Sequence, residues 1–203
     1  MSLLDIAPVI PVVVIDDPET AVPMARALVR GGLPVIEVTL RTEGALKAVE
    51  RIAAEVPEAV IGAGTIRTGA DVDAAVKAGA RFLVSPGTTP SLLDAMRDSG
   101  VPYLPGAATA SEVLALAERG LTELKFFPAE AAGGLPYLKA LAGPLADVRF
   151  CPTGGIKPST AAAYLALSNV GCVGGSWLTP ADALASGDYS RIESLAAEAA
   201  ALR

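Results

Sequence analysis

One regularity limits the fold of this chain more than any other. Short apolar runs, many of them β-branched, return at intervals of roughly 20–25 residues, the length of one strand, one helix and two short loops. They fall at residues 9–15, 35–40, 59–63, 82–85, 102–104, 123–127, 149–152 and 171–174. The segments between them read as helices. Residues 20–29 and 43–55 place apolar side chains three and four positions apart, leaving Arg26, Arg30, Lys47, Glu50 and Arg51 for the opposite face. Gly31, Gly32, Gly79, Gly100 and Gly120 sit just past helical runs, where a residue of positive φ ends a helix. Asp71, Ser91, Thr109 or Ser111, and Ser159 sit near helix starts, where a side-chain oxygen caps free N–H groups.

Eight such units, with no linker, low-complexity tract or shift in composition, predict one α/β domain over residues 1–203 that ends in a C-terminal helix. An open doubly wound sheet and a closed (β/α)8 TIM barrel both suit this order. No run is followed by a G-x-G-x-x-G loop opening a helix, which weakens the dinucleotide-binding form of the open sheet. The strand count favours the barrel, and 203 residues is its compact limit.

Composition removes several chemistries. The chain has no histidine, so no Ser-His or Cys-His pair and no imidazole base or metal ligand is available. Acid–base work falls to carboxylates, lysine, tyrosine or bound water. A net charge of −6 argues against nucleic acid as a partner. Cys151 and Cys172 are isolated, without C-x-x-C spacing, and read as small buried residues rather than a disulfide or a metal site. The charge-free stretch 158–181 has 24 residues, but Asn169, glycines and prolines divide it into a helix, a short strand and a turn, so no membrane span is expected. No basic segment precedes the first apolar run, which points away from a secretory signal and towards a cytoplasmic protein.

Strand parity then singles out polar residues. In Val35-Ile36-Glu37-Val38-Thr39-Leu40-Arg41, Ile36, Val38 and Leu40 form one apolar face, and Glu37, Thr39 and Arg41 share the other. In a barrel the first face meets the helices and the second points inward. In Glu123-Leu124-Lys125-Phe126-Phe127, Lys125 and Phe127 point inward by the same rule. Inward charges are costly unless they are paired or used. A buried structural ion pair of Glu37 and Lys125 is one reading. A catalytic set is the other, favoured because Arg41 competes for Glu37 and all three lie toward the C-terminal halves of their strands, where barrel active sites are built. An apolar interior disfavours an ammonium relative to a neutral amine, and a neutral amine forms Schiff bases with carbonyl compounds. Lys47, Lys77, Lys139 and Lys157 lie on helical faces or a loop and read as solvated, leaving Lys125 as the candidate.

Two glycine pairs follow the last two runs: Pro152-Thr153-Gly154-Gly155-Ile156 and Gly174-Gly175-Ser176-Trp177. Either pair alone suits an ordinary turn. On adjacent final strands they suit an anion held by backbone N–H groups. Gly62-Ala63-Gly64-Thr65 adds a hydroxyl at the same rim, unless Thr65 merely caps a helix. Ser85-Pro86-Gly87 reads equally as a turn.

Taken in order with Glu37-Val38-Thr39-Leu40-Arg41-Thr42 and Lys125-Phe126-Phe127-Pro128-Ala129-Glu130, these motifs resemble the bacterial 2-keto-3-deoxy-6-phosphogluconate (KDPG) aldolases. Many of that family are also 4-hydroxy-2-oxoglutarate (KHG) aldolases. The likeness runs from about Val9 to Tyr189. It implies a class I, Schiff-base aldolase of the Entner–Doudoroff pathway, a (β/α)8 barrel and a homotrimer, with no metal and no cofactor. The substrate would be a small phosphorylated 2-keto acid. Carried over by residue, the resemblance makes Lys125 the Schiff-base amine and Glu37 the acid–base group. It puts Arg41 and Thr65 at the pyruvate carboxylate, Pro86 and Phe127 as apolar walls, and Thr153 near the substrate hydroxyls. Gly154, Gly155, Gly175 and Ser176 would form the phosphate pocket. Two other readings suit the same residues: a phosphate-binding barrel isomerase or synthase, and a non-catalytic trimeric ligand-binding scaffold.

Overall fold

The computed structural model describes residues 2–202. Nine short strands are present among the described residues: β1 Val9–Val13, β2 Val35–Thr39, β3 Val60–Gly64, β4 Leu83–Val84, β5 Tyr103–Leu104, β6 Gly106–Ala107, β7 Glu123–Phe126, β8 Arg149–Pro152 and β9 Val173–Gly175. Helices α1 Ala21–Arg30, α2 Ala45–Glu55, α3 Gly69–Lys77, α4 Pro90–Asp98, α5 Ala110–Ala117, α6 Gly134–Leu141 and α7 Pro158–Leu165 fall between them, and α8 Ala181–Ser186 and α9 Tyr189–Ala200 follow β9. The stretch 158–181 divides into a helix, a strand and a turn as expected. No helix among the described residues is long and apolar enough to cross a membrane.

The strands form two parallel sheets, of order β5-β4-β3-β2-β1-β9 and β6-β7-β8. The fifth apolar run, 102–104, holds only β5, and an additional strand, β6, follows Pro105, which has no N–H to give to a ladder. Tyr103 and Leu104 pair with β4, and Gly106 and Ala107 pair with β7. The Pro105 carbonyl still accepts from Lys125 N at 2.9 Å. At the other edge, single parallel bridges join Phe150 to Val170 and Thr153 to Gly174.

Parity sorts the core as the sequence implies. Val9, Val13, Ile36, Val38, Ile61, Leu124, Phe126 and Phe150 belong to the large cluster shared with the helices. Ile10, Val35, Phe82, Val84, Leu104, Cys151 and Cys172 form a second cluster on the opposite faces. Leu4, on a 3-10 turn spanning Leu3–Asp5, joins this inner cluster with no exposed surface. Its turn is held at the start of β7 and β8: the Ser2 hydroxyl donates to the Glu123 carboxylate at 2.6 Å, and Arg149 reaches both Glu123 and Asp5. That end is filled by packing, which leaves the C-terminal ends of the strands for the site.

Candidate active site

Glu37 and Lys125 sit on β2 and β7, which belong to different sheets, yet their side chains meet. Lys125 Nζ donates to Glu37 Oε1 at 3.0 Å and lies 3.5 Å from Oε2. Each residue is 3% exposed. An ion pair this deep gains more from Coulomb attraction than one in water, but both charges lose their hydration, so burial alone does not make it stabilising. A lysine and a carboxylate in direct contact, sheltered from solvent, can exchange a proton without reorganising water.

Space for the pair comes from a missing side chain. Gly64 is the last residue of β3, beside Thr39 in the ladder, and a Cβ there would collide with the Glu37 carboxylate. Gly62 makes room for the Phe82 ring in the same way, and Gly174 for Thr153. Gly62 and Gly174 lie within the apolar runs read from the sequence, Gly64 one residue past its run also lies within a strand, and all three admit large neighbours. The available signal was their strict alternation at 62 and 64 on an otherwise apolar run.

Arg41 does not compete for Glu37, contrary to the sequence expectation. β2 ends at Thr39, whose hydroxyl donates to Val13 O at 3.0 Å, and Arg41 lies past it in a turn, exposed at the rim. Its Nε donates instead to Thr65 Oγ1 at 3.1 Å. Thr65 has a φ of 61°, the one positive value for a non-glycine residue among those described. A β-branched residue in that region is strained, and such strain concentrates at functional sites. Thr65 caps no helix, since Thr68 caps α3.

The remaining predicted residues gather around the same end of the strands. The Phe127 ring centre is 5.6 Å from Lys125 Nζ. Pro86 is half-buried in the loop after β4, and the Ser85 hydroxyl before it accepts from Gly106 N at 3.1 Å. Thr153 is buried, its N–H donating to Phe126 O and its carbonyl accepting from Ala129 N. Gly154 and Gly155 follow with φ of 101° and 83°, left-handed values that favour glycine. Gly175 is buried beneath Trp177, and Ser176 is exposed. Ser176 lines a cavity of about 380 Å³ with Val12, Asp16 and Thr179, and that lining does not include Lys125 or Glu37. The other four lysines are all exposed.

Comparison with known proteins places this arrangement in context. A family model described as KDPG and KHG aldolase matches residues 1–195. The KHG/KDPG aldolase of Escherichia coli (strain K12) is 54% identical over 198 residues, covering 98% of this chain and 93% of that one. Among solved structures, a KDPG aldolase from Legionella pneumophila, with pyruvate captured at low pH as a covalent carbinolamine intermediate, superposes with a TM-score of 0.95 at 47% identity, covering 97% and 96% of the two chains. The 2-keto-3-deoxy-6-phosphogluconate aldolase of Zymomonas mobilis ZM4 with 3-phosphoglycerate gives 0.93 at 48% identity, covering 98% and 94%.

Proposed function

The chain belongs to the KDPG and KHG aldolase family, and from that membership we infer that it cleaves 2-dehydro-3-deoxy-6-phosphogluconate into pyruvate and D-glyceraldehyde 3-phosphate. The observation that carries the mechanism is the buried Lys125–Glu37 contact of 3.0 Å, reached from two separate sheets.

Glu37 takes a proton from Lys125, and the free amine attacks C2 of the keto acid to give a carbinolamine. Glu37 returns the proton to the departing hydroxyl, water leaves, and a protonated imine remains. The imine withdraws the electron pair of the C3–C4 bond as a proton passes from the C4 hydroxyl to Glu37, directly or through water. Glyceraldehyde 3-phosphate departs, Glu37 protonates C3 of the enamine, and hydrolysis of the imine frees pyruvate and Lys125. The imine is the electron sink, so the sequence of steps needs no metal ion. Arg41 and the strained Thr65 hydroxyl suit the substrate carboxylate, with the guanidinium supplying charge-assisted donors. Phe127 and Pro86 wall the imine, Thr153 faces the hydroxyl-bearing carbons, and Gly154, Gly155, Gly175 and Ser176 receive the phosphate. 4-Hydroxy-2-oxoglutarate, cleaved to pyruvate and glyoxylate, would use the same amine.

The strands are inferred to close into a single (β/α)8 barrel over residues 1–203. Pairing of residues 103–107 to both sheets, the single bridges Phe150–Val170 and Thr153–Gly174, and a lysine and a glutamate meeting across the interior support closure. A cytoplasmic homotrimer is the assembly proposed.

The test is borohydride reduction in the presence of pyruvate. One adduct per chain, mapping to Lys125 by mass spectrometry, is expected. An adduct on another lysine would reject the assignment.

A further inference from the structure

Gly154 and Gly155 carry no side chains of their own, so something else must fix the backbone that the proposed function assigns to phosphate. The segment after β7 supplies the support. Glu130 N donates to Gly154 O at 3.1 Å, and the Glu130 stem packs so closely on Gly155 that a Cβ there would lie 2.6 Å from Glu130 Cγ. The Phe127 ring lies against Gly154. Glu130 is itself an exposed residue, and its tip is anchored from within: Tyr164 on α7, with no exposed surface, donates its hydroxyl to Glu130 Oε1 at 2.6 Å. Tyr164 follows the glycine loop in the chain, so this bond closes a ring from Gly154 through α7 to Glu130 and back. Burial, and then donation to Glu130, push the Tyr164 phenol well above the ordinary tyrosine range, which keeps it a donor at neutral pH. A phenylalanine would fill the same volume but lose the hydroxyl, which meets the Glu130 carboxylate and also the Leu135 backbone N–H at the start of α6.

We propose that Tyr164 and Glu130 are positioning residues that clasp the β7–α6 and β8–α7 loops together and so hold the Gly154–Gly155 backbone in its phosphate-binding shape. The idea rests on the aldolase reading and adds to it a determinant of preference for phosphorylated substrates.

The experiment compares two readouts in each variant. One is the KM and kcat for 2-dehydro-3-deoxy-6-phosphogluconate. The other is the pyruvate concentration giving half-maximal borohydride trapping, which involves no phosphate. Tyr164→Phe and Glu130→Ala are expected to raise KM roughly tenfold, equivalent to about 1.4 kcal/mol. Their kcat and their half-trapping pyruvate concentration should stay within about twofold of wild type, well inside that tenfold scale. Glu130→Gln keeps an acceptor oxygen and should hold KM at or below the wild-type value. An unchanged KM in Tyr164→Phe, equal shifts in both readouts, or a Glu130→Gln that behaves like Glu130→Ala would each overturn the clasp. A wild-type protein that traps no pyruvate would instead overturn the aldolase reading, and the clasp with it. Tyr164→Phe decides the matter if Glu130→Ala does not fold.

Discussion

Lys125 and Glu37 each make the other's burial tolerable, and mutations at this pair act on stability and chemistry together. Lys125→Met strands a carboxylate in the interior, and losing one partner of such a pair typically costs about 3–5 kcal/mol. Urea unfolding of Lys125→Met should show a loss of that order, with much of it recovered in Lys125→Met/Glu37→Gln. A single mutant that unfolds at the wild-type midpoint would show that the pair carries no mutual dependence. Glu37→Gln should still trap pyruvate at Lys125, yet slow hydrogen exchange at C3 of pyruvate by roughly 10²–10⁴-fold, the usual worth of a general acid–base. Exchange at the wild-type rate would remove Glu37 from the role. Residue identity and parity made both side chains legible in the sequence. The dependence of Glu37 on Gly64 was not, because it is set by a neighbouring strand.

Helix boundaries were legible where the signal is local. Thr109 caps α5 as expected, accepting from Glu112 N, while the Glu112 carboxylate accepts from Ala108 N and Thr109 N at 2.8 and 2.9 Å. Asp71 proved to be the third residue of the corresponding box in α3, capped by Thr68, and Ser91 and Ser159 are not the caps of α4 and α7. Of the glycine pair after α1, Gly32 takes the positive φ and Gly31 does not. Adjacent candidates carry nearly the same local preference, and packing selects between them. Thr109→Ala should cost about 1 kcal/mol in chemical unfolding, and an unchanged unfolding midpoint would show that the cap adds nothing. Glu112 gives that cap a pH dependence. Its carboxyl is held below the usual range, chiefly by the Ala108 N–H. Its folded-state pKa is therefore below the unfolded one, so its contribution is present above the unfolded glutamate pKa and is lost as the pH falls through the lowered folded value. The effect of Glu112→Ala on stability should shrink on acidification through that window.

At the scale of the whole molecule, the net charge of −6 leaves anion binding to one rim, and the groups proposed for it, Arg41, Ser176 and the backbone of Gly154, Gly155 and Gly175, lie at the C-terminal ends of the strands. Light scattering after gel filtration should give three times the 20.5 kDa chain mass. A monomer mass at assay concentrations would reject the trimer. The sequence by itself determined the α/β class, the repeating unit and the inward lysine and glutamate, because these follow from spacing, side-chain periodicity and the absence of histidine. Only the tertiary structure decided which charge pairs with which. Arg41 was nearer to Glu37 along the chain, but β2 ends before it, and the partner of Glu37 came from a strand 88 positions away. Pairing of buried charges depends on distances across an interior, and those are fixed only when sheets from distant parts of the chain come together.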